Sequence, residues 1–273
     1  MVDVNRRVLP GFQISLGYTI AYLSLLVVLP LFACFAKAAS LDLHDFWTAV
    51  WSARARAAYA LTIGASLTAA ALSVPLGVLI AWVLTRYDFP LKRLVDALVD
   101  LPFALPTAVA GLVYSSLYVK NGWLGQFLVP LGFQGAYSRT AIVLVLLFIG
   151  VPFVVRTVQP IVEDLEAEVE EAAACLGANR WQTFRRVILP YLFPPVVTGF
   201  ALAFARALGE YGSVVFVSGN LPFKTEIAPV LIVASLEEFN YAQAAAIAVV
   251  LLAISLSMLV VINLLQHWSK GNG

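Results

Sequence analysis

Two charged residues, Arg206 and Glu210, stand in a stretch otherwise built of apolar and small residues, ALAFARALGEYGSVVFV. A charged side chain at mid-bilayer costs about 2.5–3.5 kcal/mol on insertion scales, so neither is expected to face lipid alone. Spaced four apart, they share a helix face and can pair. The pair has two readings: a structural ion pair that fixes helix packing, or a positive field that Arg206 offers to a passing group of opposite charge. Gly209, Gly212 and Gly219 beside it permit close helix approach or a local break. Enzyme chemistry is not legible. The chain has no HExxH, no G-x-S-x-G and no G-x-x-x-x-G-K-[ST], so it cannot hydrolyse ATP through a P-loop of its own. Cys34 and Cys175 lie far apart with no CxxC or Cys/His cluster, which argues against a metal site or a disulfide framework. His44 has no partner histidine and reads as a solvated loop residue.

The elements that must position these groups are membrane spans. Of 273 residues, 61% are hydrophobic and 12% charged, against roughly half and a quarter in a soluble domain. The net charge of +1 leaves no footprint for nucleic acid. At about 20 residues per crossing, apolar helical segments are expected at 14–37, 57–85, 97–119, 138–158, 191–216 and 244–267. The first is too long for a signal-peptide core, has no small-residue cleavage site after it, and reads as a retained anchor. Pro102 and Pro106 interrupt the third, LPFALPTAVAG. Broken helices at membrane depth are tolerated only where buried in protein or lining a cavity, so this is either a packing kink or part of a gate. The connection 38–56 mixes aromatics and charges at helical spacing, as a short amphipathic surface helix would.

Orientation follows the basic residues. With a cytoplasmic N-terminus, the inner segments hold ten: Arg6, Arg7, Arg86, Lys92, Arg93, Arg156, Arg180, Arg185, Arg186 and Lys270. The outer ones hold six: Lys37, Arg54, Arg56, Lys120, Arg139 and Lys224. This favours both termini in the cytoplasm. Trp47, Trp51, Trp123 and Trp268 fall near span ends, where an indole prefers the interface. Lys224, Glu226, Glu237 and Glu238 before the last span read as a solvated outer surface that another protein could touch.

The long inner connection, EDLEAEVEEAAACLGANRWQTFRRVILP, covers 163–190. Val162, Leu165, Val169, Ala172, Ala173 and Leu176 recur at three- and four-residue intervals and predict a helix with one apolar stripe. Glu163, Asp164, Glu166, Glu168, Glu170 and Glu171 fill the rest, suited to a helix N-terminus. Gly177 is placed as a left-handed cap. Asn179 can cap a second short helix, which Pro190 closes while opening the next span. Interfacial helices carry Lys and Arg toward anionic lipid, so an acidic elbow fits a protein groove better.

Glu171-Ala172-Ala173, then Gly177, then Leu189-Pro190 resembles the EAA motif of binding-protein-dependent ABC importer permeases, with Val187 where that family favours isoleucine. RRVLPGF, LPFALPTAVAG, VPFVVRTVQP, LGANRWQTFRRVILP and RALGEYGSVVFVSGN extend the likeness to the sulfate/thiosulfate (CysT-type) permeases. The molybdate and tungstate permeases are close relatives and the alternative. The resemblance implies an all-α integral membrane protein of about six transmembrane helices in the MetI-like ABC permease architecture. It implies one permease domain over 1–273, with a coupling segment at 160–190. Glu170, Glu171, Ala172, Ala173, Gly177, Ala178, Arg180, Leu189 and Pro190 would then meet an ATPase, while Pro102, Pro106, Arg206, Gly209 and Glu210 would form the pathway or gate. The implied partners are a CysW-like second permease, two CysA-like subunits that use ATP and Mg, an extracytoplasmic sulfate/thiosulfate-binding protein and membrane lipid. No cofactor is expected on this chain, and the expected location is a bacterial or plastid-type inner membrane. A self-sufficient secondary anion transporter is the reading of another class; it predicts more intramembrane acids or an internal repeat, and neither is legible.

Overall fold

A computed structural model describes residues 11–271, and among them the chain is helical throughout, without a strand. In chain order the helices begin with α1 (Phe12–Ala38), α2 (Leu43–Val50) and α3 (Ala53–Arg86). Three short helices follow, α4 (Lys92–Val99), α5 (Leu101–Ala104) and α6 (Thr107–Tyr118), and then α7 (Gly125–Leu128). The second half holds α8 (Arg139–Glu163), α9 (Ala167–Cys175), α10 (Arg180–Leu208), α11 (Val214–Val217), α12 (Ala228–Glu237) and α13 (Tyr241–Gly271). Among the described residues five of these, α1, α3, α8, α10 and the Tyr241–Leu264 part of α13, are long and apolar enough to cross a bilayer. Arg6, Arg7 and most of RRVLPGF lie outside the described residues, as do the side chains of Trp268 and Lys270.

Six crossings are expected, and five are continuous. The third, 97–119, is divided among α4, α5 and α6. Pro106 supplies no N–H and pushes Leu105 into an extended conformation (ψ 134°), so the helix stops and restarts at Thr107. The fifth is also displaced. Helix α10 starts at Arg180 rather than 191 and ends at Leu208 rather than 216, with a wide turn at Phe184–Ile188 just before Pro190. Pro190 does not close a separate short helix; the wide turn absorbs its missing N–H and the helix runs on.

The core is the bundle of α3, α8 and α10. Ser52 and Ser138 cap α3 and α8 by accepting from the Ala55 and Ala141 N–H groups at 3.1 Å. The buried face of α3 is a stripe of small residues, including Ala58, Ala65, Ser66, Ala69, Ala70, Ser73 and Ala81. Small side chains let helix backbones approach closely where lipid supplies no hydrophobic drive. Val154, Val155, Val158, Leu192 and Phe204 fill the centre. Helix α1 lies outside this core; its second half meets α13, while Phe12 to Leu29 bury nothing within the chain. Helix α2 matches the amphipathic helix expected in 38–56 and packs on α13. His44 is exposed beside Asp45.

Candidate functional site: the hairpin and the broken segment

The 163–190 segment is shaped by two local devices at Gly177 and Asn179. Helix α9 ends in a paired C-terminal cap: the Gly177 N–H donates to the Ala174 carbonyl (2.9 Å) and the Ala178 N–H to the Ala173 carbonyl (3.0 Å). This requires the left-handed conformation that Gly177 adopts, φ 83°. Two residues on, the Asn179 side chain accepts from the Gln182 N–H and the Gln182 side chain accepts from the Asn179 N–H, both at 2.9 Å. Together they fold the chain into an elbow.

The expected apolar stripe is only partly a stripe. Helix α9 begins at Ala167, so Val162 belongs to the end of α8 and Leu165 to the link; both are buried. Ala173 is buried against the base of the hairpin, while Val169 and Leu176 point away from the chain, Leu176 at 89% exposure. Trp181 is 66% exposed beside Phe184. Glu171, Ala172, Gly177, Arg180, Leu189 and Pro190 are exposed and Ala178 half-buried. An indole and a leucine offered to the outside within a charged rim have the composition of a protein-docking patch.

The structure separates two adjacent glutamates. Glu171 is exposed, whereas Glu170 accepts from Arg86 Nη2 at 2.8 Å. The same nitrogen donates to the Leu165 carbonyl at 3.0 Å, and the guanidinium stands 5.3 Å above the Trp82 ring. In the sequence Arg86 counts only toward orientation; its signal is a lone base ending a long span opposite an acidic run.

Arg156 is a second node that residue spacing left unread. Its Nε and Nη2 bind both oxygens of Asp100 (2.8 and 2.7 Å), and Nη1 binds Asp96 Oδ1 (2.8 Å) and Gln159 Oε1 (2.7 Å). This forked geometry pins α4 and α5 to α8. Asp96 and Asp100, four apart and facing one arginine, are the pattern that could have revealed it.

Neighbours of the two groups of candidate gate residues meet. Gly111 of α6 lies so close to Ser213 that a Cβ there would stand 2.4 Å from the Ser213 carbonyl oxygen. Gly212 lies against Thr107, the residue after Pro106, where a Cβ would stand 2.3 Å from its hydroxyl. The broken third segment therefore packs on the break that follows α10. Pro106 is exposed and Pro102 half-buried at its rim. Gly209 ends α10 but approaches nothing.

Arg206 and Glu210 do pair, Nη1 to Oε2 at 2.5 Å, but not on one helix face. The helix ends between them at Leu208, and Glu210 donates its N–H to the Ala207 carbonyl of the last turn at 3.2 Å. Its other oxygen accepts from the Ser213 N–H (2.8 Å) and hydroxyl (2.9 Å), so the carboxylate also caps the turn into α11. The Glu210 side chain is 3% exposed and Arg206 35% exposed. Removing Arg206 strands a buried charge, which costs toward the low end of about 3–5 kcal/mol because the arginine is partly open. Arg206→Ala is thus expected to lower the yield of folded protein, and Arg206→Ala with Glu210→Gln to restore it, read by fluorescence-detected size exclusion. Uptake measured in the double variant then separates the two readings: recovery assigns the pair to structure, and continued failure assigns Arg206 to the pathway.

At the opposite end from the hairpin, Glu226 corrects the expectation of a solvated surface. It is 4% exposed and forked to Arg54 at 2.8 and 2.6 Å, while Lys224, Glu237 and Glu238 are exposed. Among the described residues no three His, Cys, Asp or Glu side chains gather as a metal site.

The sequence profile of the binding-protein-dependent transport system inner membrane components matches residues 73–270, a stretch that runs from mid-α3 through the hairpin to the end of α13. The chain belongs to this family. As such it is a multi-pass inner membrane component. It is 55% identical over 256 residues to the sulfate transport system permease protein CysT of Synechococcus elongatus, covering 94% of this chain and 92% of that one. With the protein of the same name from Escherichia coli K12 it shares 47% over 262 residues, covering 96% and 95%. A bacterial ABC transporter that imports the acidic polysaccharide alginate has the same fold, at a TM-score of 0.76 and 18% identity over 93% of this chain and 94% of that one. The MetNI methionine ABC transporter in an inward-facing form follows at 0.55 and 17%, over 85% and 99%. These likenesses bear on fold, and they carry the expected MetI-like architecture. The relatives are named as permeases, so this inner membrane component is a transport subunit and not an enzyme.

Proposed function

We propose that the chain is a pore-forming permease subunit of an ATP-driven importer of sulfate and thiosulfate. The observation that carries this reading is near-full-length identity of about half to proteins named as sulfate transport permeases. The whole chain acts as one permease domain beside a homologous second permease of the CysW type. Both termini and the 163–190 hairpin face the cytoplasm. There the exposed tip around Glu171, Leu176, Gly177 and Trp181 docks on one of two CysA-like subunits, which bind ATP and Mg. Support comes from the open apolar tip, the acidic rim and the rigid capped elbow. A solute-loaded binding protein approaches the opposite face; one solved transporter of this fold is in complex with a pentasaccharide-bound periplasmic protein.

The gate is the place where α6, after Pro102 and Pro106, packs on Gly212 and Ser213. Glu210 holds that turn in shape, and Arg206 keeps guanidinium surface open beside it. ATP-driven closure of the partner subunits moves the hairpin, and the displacement changes which packing of α6 on this turn is favoured. A state change of this kind needs contacts that differ between the states.

The test is ATP hydrolysis by the purified complex in nanodiscs, stimulated by binding protein loaded with sulfate, thiosulfate, molybdate or tungstate. Stimulation by the sulfate- or thiosulfate-loaded form is expected. Selective stimulation by the molybdate form would reassign the substrate, and ion-gradient-driven uptake without ATP would overturn the importer reading.

A further inference from the structure

Helix α9 is a separate short helix, set off from its neighbours at both ends. Asp164 to Glu166 leave helical conformation before it, and the Gly177 elbow follows it. On its inner side lies an apolar groove of about 750 Å3, lined by Val78 and Trp82 of α3 and by Ala174, Phe184, Ile188 and Leu192. Close-packed cores transmit displacement because neither side can yield. Across an open groove that route is missing, so α9 moving as a lever would not push α3 through apolar contact. What spans the gap is Arg86, in the last turn of α3. It holds the link through the Leu165 carbonyl and α9 itself through Glu170. Arg86 is in turn held over Trp82, one turn back on its own helix. Its side chain is 23% exposed and that of Glu170 34%, so the pair is shielded in part from screening by salt.

We propose that Arg86 is the positioning residue that couples movement of α9 to α3, making the Arg86–Glu170 pair a tie between the ATPase-docking hairpin and the transmembrane core. Helix α3 is 34 residues of continuous helix on the α8 core. Pro75 lies inside it without dividing it, so a pull on its last turn is carried along one unbroken helix that reaches the other end of the molecule. Glu171, pointing outward, meets the partner; Glu170, pointing inward, passes the motion on. This rests on the reading of 163–190 as the ATPase-docking segment.

The experiment uses the complete complex in proteoliposomes with sulfate-loaded binding protein, reading uptake and ATP hydrolysis together. Arg86→Glu and Glu170→Arg are each expected to lower sulfate taken up per ATP at least about fivefold, the low end of allosteric coupling effects, with the ATPase subunits still bound. The charge-swapped pair Arg86→Glu with Glu170→Arg should return to within about twofold of wild type, the double-mutant sign of a direct interaction. A ratio unchanged in both single variants overturns the proposal. So does a parallel loss of uptake and hydrolysis that the swap does not repair, which marks a packing role. Where Arg86→Glu fails to assemble, Glu170→Gln on its partly exposed carboxylate decides by the same ratio. The docking reading is checked separately through Cys175, which is exposed at the end of α9. Absence of any cross-link from Cys175 to the ATPase subunits in the unsubstituted complex sinks that reading, whereas failure of the Arg86 proposal leaves the cross-link intact.

Discussion

Gly177→Val is expected to lower solute uptake about tenfold or more while membrane insertion survives. No clash is involved, since a Cβ at this glycine would meet nothing within 4 Å. The cost is in the backbone, held at φ 83° by the two hydrogen bonds of the α9 cap. For an L-residue that conformation costs about 1–2 kcal/mol, and β-branching adds rotamer crowding. Each 1.4 kcal/mol is a factor of about ten in the population of the docked elbow. The expected order of residual uptake is therefore glycine, asparagine, alanine, valine, because asparagine tolerates the left-handed region. Uptake in proteoliposomes measures it, with co-purified ATPase subunits as the docking readout. Wild-type uptake in the valine variant would remove Gly177 from the coupling route.

Gly111→Val, and to a lesser degree Gly111→Ala, is expected to abolish uptake and lower the thermal midpoint of the complex. Here the cost is space. The new Cβ would stand 2.4 Å from the Ser213 carbonyl oxygen and 2.8 Å from its Cα, and backbone atoms cannot rotate aside. An alanine in a helix gains about 1 kcal/mol over glycine, against an overpacking cost of about 1–3 kcal/mol. The clash also lies on the turn that Glu210 caps, so relief must break its bonds to Ser213. Gly209→Ala is the internal control. That glycine has φ −92° and open space around its Cβ position, so stability and uptake should hold. Equal behaviour of the two positions in thermal unfolding and uptake would show that α6 does not need its close seat on Ser213.

The features legible in the residues alone are local. Apolar length marks the continuous spans at 14–37, 57–85, 138–158 and 244–267 within a few residues, because burial in lipid needs only a count of apolar residues. The elbow at Gly177 and the cap at Asn179 were legible because each is made by residues within five positions of one another. Helix ends near prolines were not. Pro190 sits inside α10, just after the wide turn at Phe184–Ile188, whereas 97–119 is divided where Leu105 turns extended before Pro106. Beyond local reach, tertiary structure decided. Arg86 and Glu170 are 84 residues apart, Arg156 and Asp100 56, Arg54 and Glu226 172. A charge count cannot tell a solvated glutamate from Glu226, because only the fold sets which arginine it meets once water is removed. The same holds for Arg206 and Glu210. Their spacing predicts a pair, but the end of α10 between them turns a helix-face contact into the cap of a turn, and that turn is where the broken segment packs.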